Sequence, residues 1–191
     1  MLAALWVQTT EEEDARRELE RLLLLTGQGN REAFGLLYAK TRGAVYALAL
    51  SLLGDAHEAQ DIAQDAYVRV WESAPSYRPQ GSPMAWLLTV ARNLARSRLR
   101  QSGRQTTLDE EAWNAIPAAP PGVSPEDRQV LQEALARLEP EERQIILLHA
   151  ISGLKHREIA QLLERPLSTV LSKYHRGLKK MKALMKGESD Q

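Results

Sequence analysis

The 191-residue chain contains no cysteine and a single phenylalanine, and its 25 basic and 25 acidic residues give a formal net charge of zero. Without cysteine it can form neither a disulfide framework nor a cysteine-based zinc site, which is consistent with a reducing compartment. A neutral chain is also unlike proteins that coat nucleic acid over their whole surface. Contact with nucleic acid is therefore expected only through local basic patches.

Long hydrophobic runs are missing as well. No apolar stretch approaches the roughly 18 residues that a membrane-spanning helix needs, and the first residues, MLAALWVQTTEEED, lack the positive segment of a signal peptide. We therefore expect a cytoplasmic protein with no direct membrane insertion. Hydrophobic residues nevertheless make up 43% of the chain, which is enough for a packed core. The length allows one or two domains.

Most segments show helical periodicity, and none shows the alternation of a strand. Asn30 and Asp55 are predicted N-caps, and Gly54 is predicted to end the helix between them. Ser82 followed by Pro83 predicts another helix start. The helix after Asp55 carries an apolar stripe that indicates one buried face: Ile62, Ala63, Ala66, Tyr67 and Val70.

The stretch SGRQTTLDEEAWNAIPAAPPGV differs from this pattern, because it has several prolines, a small acidic cluster and no helical stripe. It predicts a linker between two helical units. The expected fold is all-α, with an N-terminal extension at 1–27, a first domain at 28–103, a linker at 104–123 and a second domain at 124–191. The sequence suggests no role for the extension.

The C-terminal part has the spacing of a helix-turn-helix. Ile159, Ala160 and Leu163 share a face of a short helix, a break follows, and Val170 and Tyr174 share a face of the next helix. The second helix of such a motif enters the DNA major groove with its N-terminal residues. The side chains expected to contact duplex DNA are Arg165, Ser168, Thr169, Ser172, Lys173 and Arg176.

Charge supports this interpretation, because the segment from Arg165 to Lys186 has seven basic residues and no acidic one. A basic C-terminal helix also complements the helix dipole and aids solubility, so Lys179 and the cations beyond it do not decide the question alone. One usual marker is absent, since such a turn normally prefers glycine where this chain has Glu164. Spacing and charge together favour DNA contact.

A second basic stretch, ARNLARSRLRQSGR, has five arginines and no acid, and Tyr77 and Trp86 lie shortly before it. Arginines beside aromatic rings are typical of single-stranded nucleic-acid binding, where phosphates pair with arginine and bases stack on rings. The alternative is that Trp86, Leu87 and Val90 belong to the core. For Trp86 both interpretations stay open, because a tryptophan can do both.

Three stretches in this order, DIAQDAYVRVW, WLLTVARNLARSRLR and REIAQLLERPLSTVLSKYHRGLKK, resemble the extracytoplasmic-function (ECF) sigma factors of the sigma-70 family. These are small two-domain bacterial transcription initiation factors. The resemblance covers about residues 28–186. It implies that the first domain is sigma domain two and that the second is the helix-turn-helix sigma domain four, so promoter recognition, −10 melting and transcription initiation are the expected function.

The resemblance also implies partners and site residues. Core RNA polymerase would be bound through its largest-subunit clamp and its flap, and an anti-sigma factor is a further expected partner. The residues implied to bind the polymerase are Asp61, Gln64, Asp65 and Arg69. Those implied to read the melted −10 element are Trp86, Arg92, Asn93 and Arg96, while the helix-turn-helix would read the −35 element as duplex promoter DNA.

Two other classes of protein compete with this interpretation. An enzyme is disfavoured, because no nucleophile–base arrangement or phosphate loop is visible, and His57 with Asp61 is only a weak metal signal. No catalytic residue, metal or cofactor is expected. A stand-alone helix-turn-helix regulator would explain the C-terminal part but not the first two stretches. Ser97 and Leu171 depart from common family residues, so no promoter sequence can be transferred.

Overall fold

The computed structural model describes residues 2–102 and 133–185, and every regular element in these ranges is helical, which confirms the all-α prediction. The predicted linker lies outside the described residues. No helix in the two ranges is long and apolar enough to cross a membrane. The α-helices are α1 (Leu2–Gly27), α2 (Arg31–Leu53), α3 (Ala56–Ser73), α4 (Pro83–Ser102), α5 (Pro140–Ser152), α6 (His156–Leu163) and α7 (Leu167–Met185).

Local signals place the helix ends where the sequence predicts them. The Asn30 side chain accepts a hydrogen bond from the Ala33 N–H at 2.9 Å, and the Asp55 side chain accepts one from the Glu58 N–H at 2.8 Å. Gly54 ends α2 in the left-handed conformation with φ 70°. These contacts satisfy backbone groups that the ends of a helix leave without an intrahelical partner.

Helices α1 to α4 pack into what we call the first unit. The predicted stripe of α3 is buried at Ile62, Ala66, Tyr67 and Val70. Helix α1 contributes Leu22 and Leu23 to the same core. Its last residue, Gly27, has no room for a side chain, because a Cβ there would lie 2.6 Å from the Ala74 carbonyl oxygen. The proposed domain boundary at residue 28 stays a prediction, and α1 packs as part of this unit.

Helices α5 to α7 form the second unit. Ile159 and Val170, on the predicted faces of the two short helices, are fully buried. Helix α7 crosses α5 closely at Gly177, where a Cβ would lie 2.6 Å from the Ile146 side chain. This crossing fixes α7 on the rest of the unit and leaves its opposite side exposed.

The two units share their hydrophobic core. Leu147 of α5 belongs to a buried cluster with Ala47 and Leu50 of α2 and Ala95 of α4. Beside it, the Gln144 side chain donates a hydrogen bond to the Ser51 hydroxyl at 2.7 Å. The helices predicted to form two domains therefore pack against each other through this apolar interface. We call it the apolar seam.

Candidate polymerase and nucleic-acid interfaces

The polar side of α3 lies on the surface of the first unit. Asp61, Gln64, Asp65 and Arg69 are all exposed, opposite the buried stripe of the same helix. We call these four residues the α3 strip. Val68 lies among them and is 59% exposed, more than any other large hydrophobic side chain within residues 12–102 and 133–184. Carboxylates around an exposed apolar side chain suit a protein partner better than a phosphate backbone.

Val68 was not among the predicted site residues. A signal for it exists in the sequence, because it follows Gln64 by four residues and Asp65 by three, and therefore lies on the polar side of the helix.

Trp86 at the start of α4 is partly buried against the core that contains Leu87, and its ring contacts Tyr77 edge to face with centroids 5.2 Å apart. The structure thus brings together the two aromatic residues that the sequence singled out. Part of Trp86 stabilises the first unit and part remains accessible. Asn93, one helical step beyond Arg92, is exposed.

Arg92 and Arg96 meet an acidic side chain of the second unit. One carboxylate oxygen of Glu164 lies 2.8 Å from Arg92 and the other lies 2.9 Å from Arg96. Arg92 is buried, with 9% of its side chain exposed, whereas Arg96 is about half exposed. The hydrogen bond from Arg92 is the largest cause that holds the pKa of Glu164 below its usual value, and the hydrogen bond from Arg96 is the second. We call this contact the Glu164 bridge.

Glu164 occupies the turn between α6 and α7 in the left-handed conformation, with φ 54° and ψ 45°. It is the only non-glycine residue with a positive φ in the described part of the chain. An L-residue in this region costs about 1–2 kcal/mol. The glycine that this turn normally prefers would avoid that cost but could not bridge Arg92 and Arg96, so the unusual residue and the inter-unit contact are linked.

Two of the residues predicted to read duplex DNA are also paired with an acid. The carboxylate of Glu141, in the first turn of α5, lies 2.6 Å from Arg165 and 2.8 Å from Lys173. The hydrogen bond from Lys173 is the main cause that lowers the pKa of Glu141, and Arg165 adds to it. Both cations therefore face an acid of their own unit.

Further along α7, Arg176 and Lys180 approach Glu142, whose side chain is completely buried. The distances are 3.7 Å for Arg176 and 2.9 Å for Lys180. Of the uncharged candidates, Ser168 and Ser172 are exposed and Thr169 is partly buried. The basic surface of α7 is therefore part ion-pair network and part exposed charge, a division that its sequence does not reveal.

Some of the predicted −10 residues and some of the predicted −35 residues line one cleft of about 140 Å³ between the units. Arg92 and Arg96 line it from α4, and Arg165 and Lys173 line it from the second unit. We call it the inter-unit cleft. The sequence predicts these residues in separate domains and carries no signal that they meet.

A small aromatic cluster lies in the second unit. The rings of His149 and His156 stack with centroids 4.7 Å apart, and Tyr174 contacts both rings edge to face. Burial lowers the pKa of His156, and the neighbouring His149 and His175 lower it further. Within the described ranges no group of three or more histidine, aspartate or glutamate residues could hold a metal ion. The ring contacts of the cluster pack α7 onto α5 and α6.

Models of two protein families match the chain. Residues 37–105 match Sigma-70 region 2, and residues 128–181 match Sigma-70, region 4. The first match contains the α3 strip and the arginines of α4, and the second contains the helix-turn-helix.

Full-length relatives and solved structures agree with these matches. The ECF RNA polymerase sigma factor SigK of Mycobacterium ulcerans (strain Agy99) is 34% identical over 169 residues, covering 85% of this chain and 90% of that protein. SigK of Mycobacterium sp. (strain KMS) is 31% identical over 173 residues, covering 86% and 89%.

Two solved structures share the fold. The sigma factor RpoE in complex with the anti-sigma factor NepR from Bartonella quintana has a TM-score of 0.60 at 24% identity, covering 82% of this chain and 98% of that one. CnrH in complex with the cytosolic domain of CnrY has a TM-score of 0.57 at 24% identity, covering 90% and 99%. With both sigma-70 regions present in order and full-length relatives above 30% identity, the chain belongs to the ECF RNA polymerase sigma factors of the sigma-70 family.

Proposed function

We propose that this sigma factor binds core RNA polymerase and the two promoter elements through three separate surfaces. The α3 strip binds the clamp of core RNA polymerase, the arginine face of α4 with Trp86 reads the melted −10 strand, and the start of α7 reads the −35 duplex. The observation that supports this division most directly is the α3 strip. Its four polar residues are all exposed on a helix whose other side is buried, and Val68 provides an apolar centre.

The alternative of a stand-alone DNA-binding regulator is not favoured by any of these features. Such a regulator needs the helix-turn-helix of the second unit but gives no reason for an exposed acidic and apolar strip on the first unit. It also gives no reason for an aromatic pair beside arginines, which suits single-stranded rather than duplex DNA.

An anti-sigma factor belongs to the same proposal. Of the two structural neighbours above, RpoE was solved with the anti-sigma factor NepR, and CnrH was solved with the cytosolic domain of CnrY. We expect a partner of that class to bind this chain as well, and we expect the chain to work in the cytoplasm, where core RNA polymerase is found. It would act as a non-enzymatic factor, with the polymerase carrying out the chemistry.

Association with purified core RNA polymerase tests the assignment of the α3 strip. Asp65→Lys reverses one exposed charge without touching the buried stripe, so the isolated protein should fold with unchanged stability. We expect it to bind core polymerase at least about tenfold more weakly, the range typical of a lost charged contact at the centre of an interface. Glu12→Lys, the same charge change at an exposed position of α1, is the matched control. Equal binding by the Asp65 variant and wild type would remove the α3 strip from the proposal.

A further inference from the structure

The Glu164 bridge occupies the side chains that the proposed function assigns to the −10 strand. A carboxylate and a phosphate offer arginine the same chemistry, because both present two oxygens that accept charge-assisted hydrogen bonds. Glu164 places one oxygen on Arg92 at 2.8 Å and the other on Arg96 at 2.9 Å. The same guanidinium groups cannot pair with Glu164 and with a DNA strand in the same geometry.

The distance between the two promoter elements also shows that the Glu164 bridge and promoter binding exclude each other. The −10 and −35 elements are, by their positions, about 25 base pairs apart, which corresponds to roughly 85 Å of duplex at 3.4 Å per pair. In this structure Arg92 and Arg96, assigned to the −10 element, line the same cleft of about 140 Å³ as Arg165 and Lys173, assigned to the −35 element. A chain that contacts both elements at once must therefore separate α4 from the turn between α6 and α7, and this breaks the Glu164 bridge.

Glu141 and Glu164, two acidic residues at the inter-unit cleft, respond differently when the two units separate. Glu141 belongs to the second unit, as do its partners Arg165 and Lys173, so that network moves as one body. Glu164 is different, because its partners lie on the other unit. The two ion pairs of Glu164 join the units, and they add to the apolar seam at Leu147.

We propose that Glu164 is an autoinhibitory residue: its carboxylate takes the place of a DNA phosphate on Arg92 and Arg96 and favours a closed form of the free protein that cannot engage a promoter. The proposal rests on the proposed function for its biological meaning, but the closed form itself is a property of the chain alone. Binding of core polymerase, which pulls the two units apart, would then release the arginines.

Fluorescence energy transfer in the full chain measures closure directly. Since the protein has no cysteine, Gln60→Cys and Lys179→Cys place one dye at an exposed position on each unit. Glu164→Gln keeps the size of the side chain and removes its charge. We expect the ratio of open to closed molecules to rise about fivefold, the factor that two partly exposed ion pairs supply. Glu18→Gln removes an exposed ion pair to Lys40 within the first unit and should leave the transfer efficiency unchanged.

A double-mutant cycle shows whether the effect comes from the bridge itself. Arg96→Gln alone should also open the chain, and combining it with Glu164→Gln should open it by less than the sum of the two single effects, since both changes remove the same contact. Leu147→Ser, which weakens the apolar seam, supplies an open reference that does not depend on Glu164. If Glu164→Gln matches wild type while Leu147→Ser opens the chain, the Glu164 bridge does not hold the closed form and the proposal is overturned.

Binding of the free chain to a fluorescent single strand of about 20 nucleotides of mixed sequence tests the second half of the proposal. Glu164→Gln should bind it about threefold to tenfold more tightly than wild type, and adding Arg96→Gln should abolish that gain. Unchanged affinity would overturn the competition with DNA. These outcomes are separable from failure of the proposed function: a chain that opens as expected but never binds core polymerase refutes the sigma-factor surfaces and leaves the closed form standing.

Discussion

Lys180 lies 2.9 Å from the carboxylate of Glu142, a side chain with no exposure to solvent. Arg176 is the second cation near this acid, at the longer distance of 3.7 Å. An ionised carboxylate removed from water is costly unless it is paired. Lys180 therefore stabilises the second unit, although it lies in a run of basic residues that the sequence predicts to bind DNA.

The first prediction concerns stability. Lys180→Ala should lower the free energy of unfolding by about 2 kcal/mol, below the range for a fully buried pair because the lysine is about half exposed. Lys179→Ala, one residue earlier and exposed, should change it by less than about 0.5 kcal/mol. Urea denaturation of both variants measures the difference. Equal effects would mean that Glu142 does not depend on Lys180.

The second prediction separates phosphate contacts from base contacts on α7. Arg176 is about half exposed and only loosely paired, so it can reach a phosphate. Arg176→Ala should weaken binding to all −35 sequences and flatten the slope of log affinity against log salt by about 0.9. The measurement is holoenzyme binding to a set of −35 variants at several salt concentrations.

Lys173 and Ser172 should behave differently in the same experiment. A lost base contact costs roughly 1–3 kcal/mol at one promoter position and leaves other sequences nearly unaffected. We therefore expect Lys173→Ala or Ser172→Ala to change which −35 sequence is preferred. Lys173 must leave Glu141 to do this. If affinity, slope and preference are all unchanged in the Arg176 and Lys173 variants, the helix serves solubility rather than recognition.

Local structure was predictable where the determining contacts are local. Asn30, Gly54 and Asp55 act on backbone groups within four residues, so their roles follow from the sequence alone. The buried stripe of α3 is also local, because it depends only on helical spacing. For the same reason the exposure of the α3 strip could be predicted, whereas its role in binding remains a prediction.

The closed arrangement could not be predicted in this way. Glu164 and Arg96 are 68 residues apart, and nothing near either residue indicates the other. A partial signal exists in α5, where four consecutive apolar residues, Ile145 to Leu148, surround the helix instead of marking one face. Such a helix must be covered on more than one side, and the first unit supplies the second cover. The stacking of His149 on His156 likewise depends on how α5 and α6 cross.

The third prediction concerns strand opening. Trp86→Phe keeps an aromatic ring against Tyr77 but reduces the accessible surface on which a base can stack. Transcription from a duplex promoter should fall several-fold, and a promoter with a pre-opened bubble should largely restore it. Val90→Ala is the control, since Val90 packs partly buried against the same core. It should lower stability without any difference between the two promoters. No rescue of Trp86→Phe would indicate that the residue acts only in packing.

The fourth prediction is a pH dependence of stability that arises at His156. Its pKa in the folded protein is below the ordinary value of 6.5, because burial and the neighbouring His149 and His175 disfavour its charged form. The unfolded chain therefore binds a proton at a higher pH than the folded chain does, so acidification favours unfolding. Stability should be complete above about pH 6.5 and should decline as the pH falls below that value.

The free energy of unfolding between about pH 7.5 and about pH 5.5 measures this effect. His156→Phe keeps a ring in the stack with His149 and Tyr174 but cannot take a proton, so its stability should fall less over the same interval. His57→Gln, at an exposed position of α3, should reproduce the wild-type curve. Because Glu141 and Glu164 titrate below their ordinary value of 4.5, their contributions lie outside this window and are lost only at more acidic pH. A wild-type curve that stays flat down to about pH 5.5 would contradict the assignment of this pH dependence to His156.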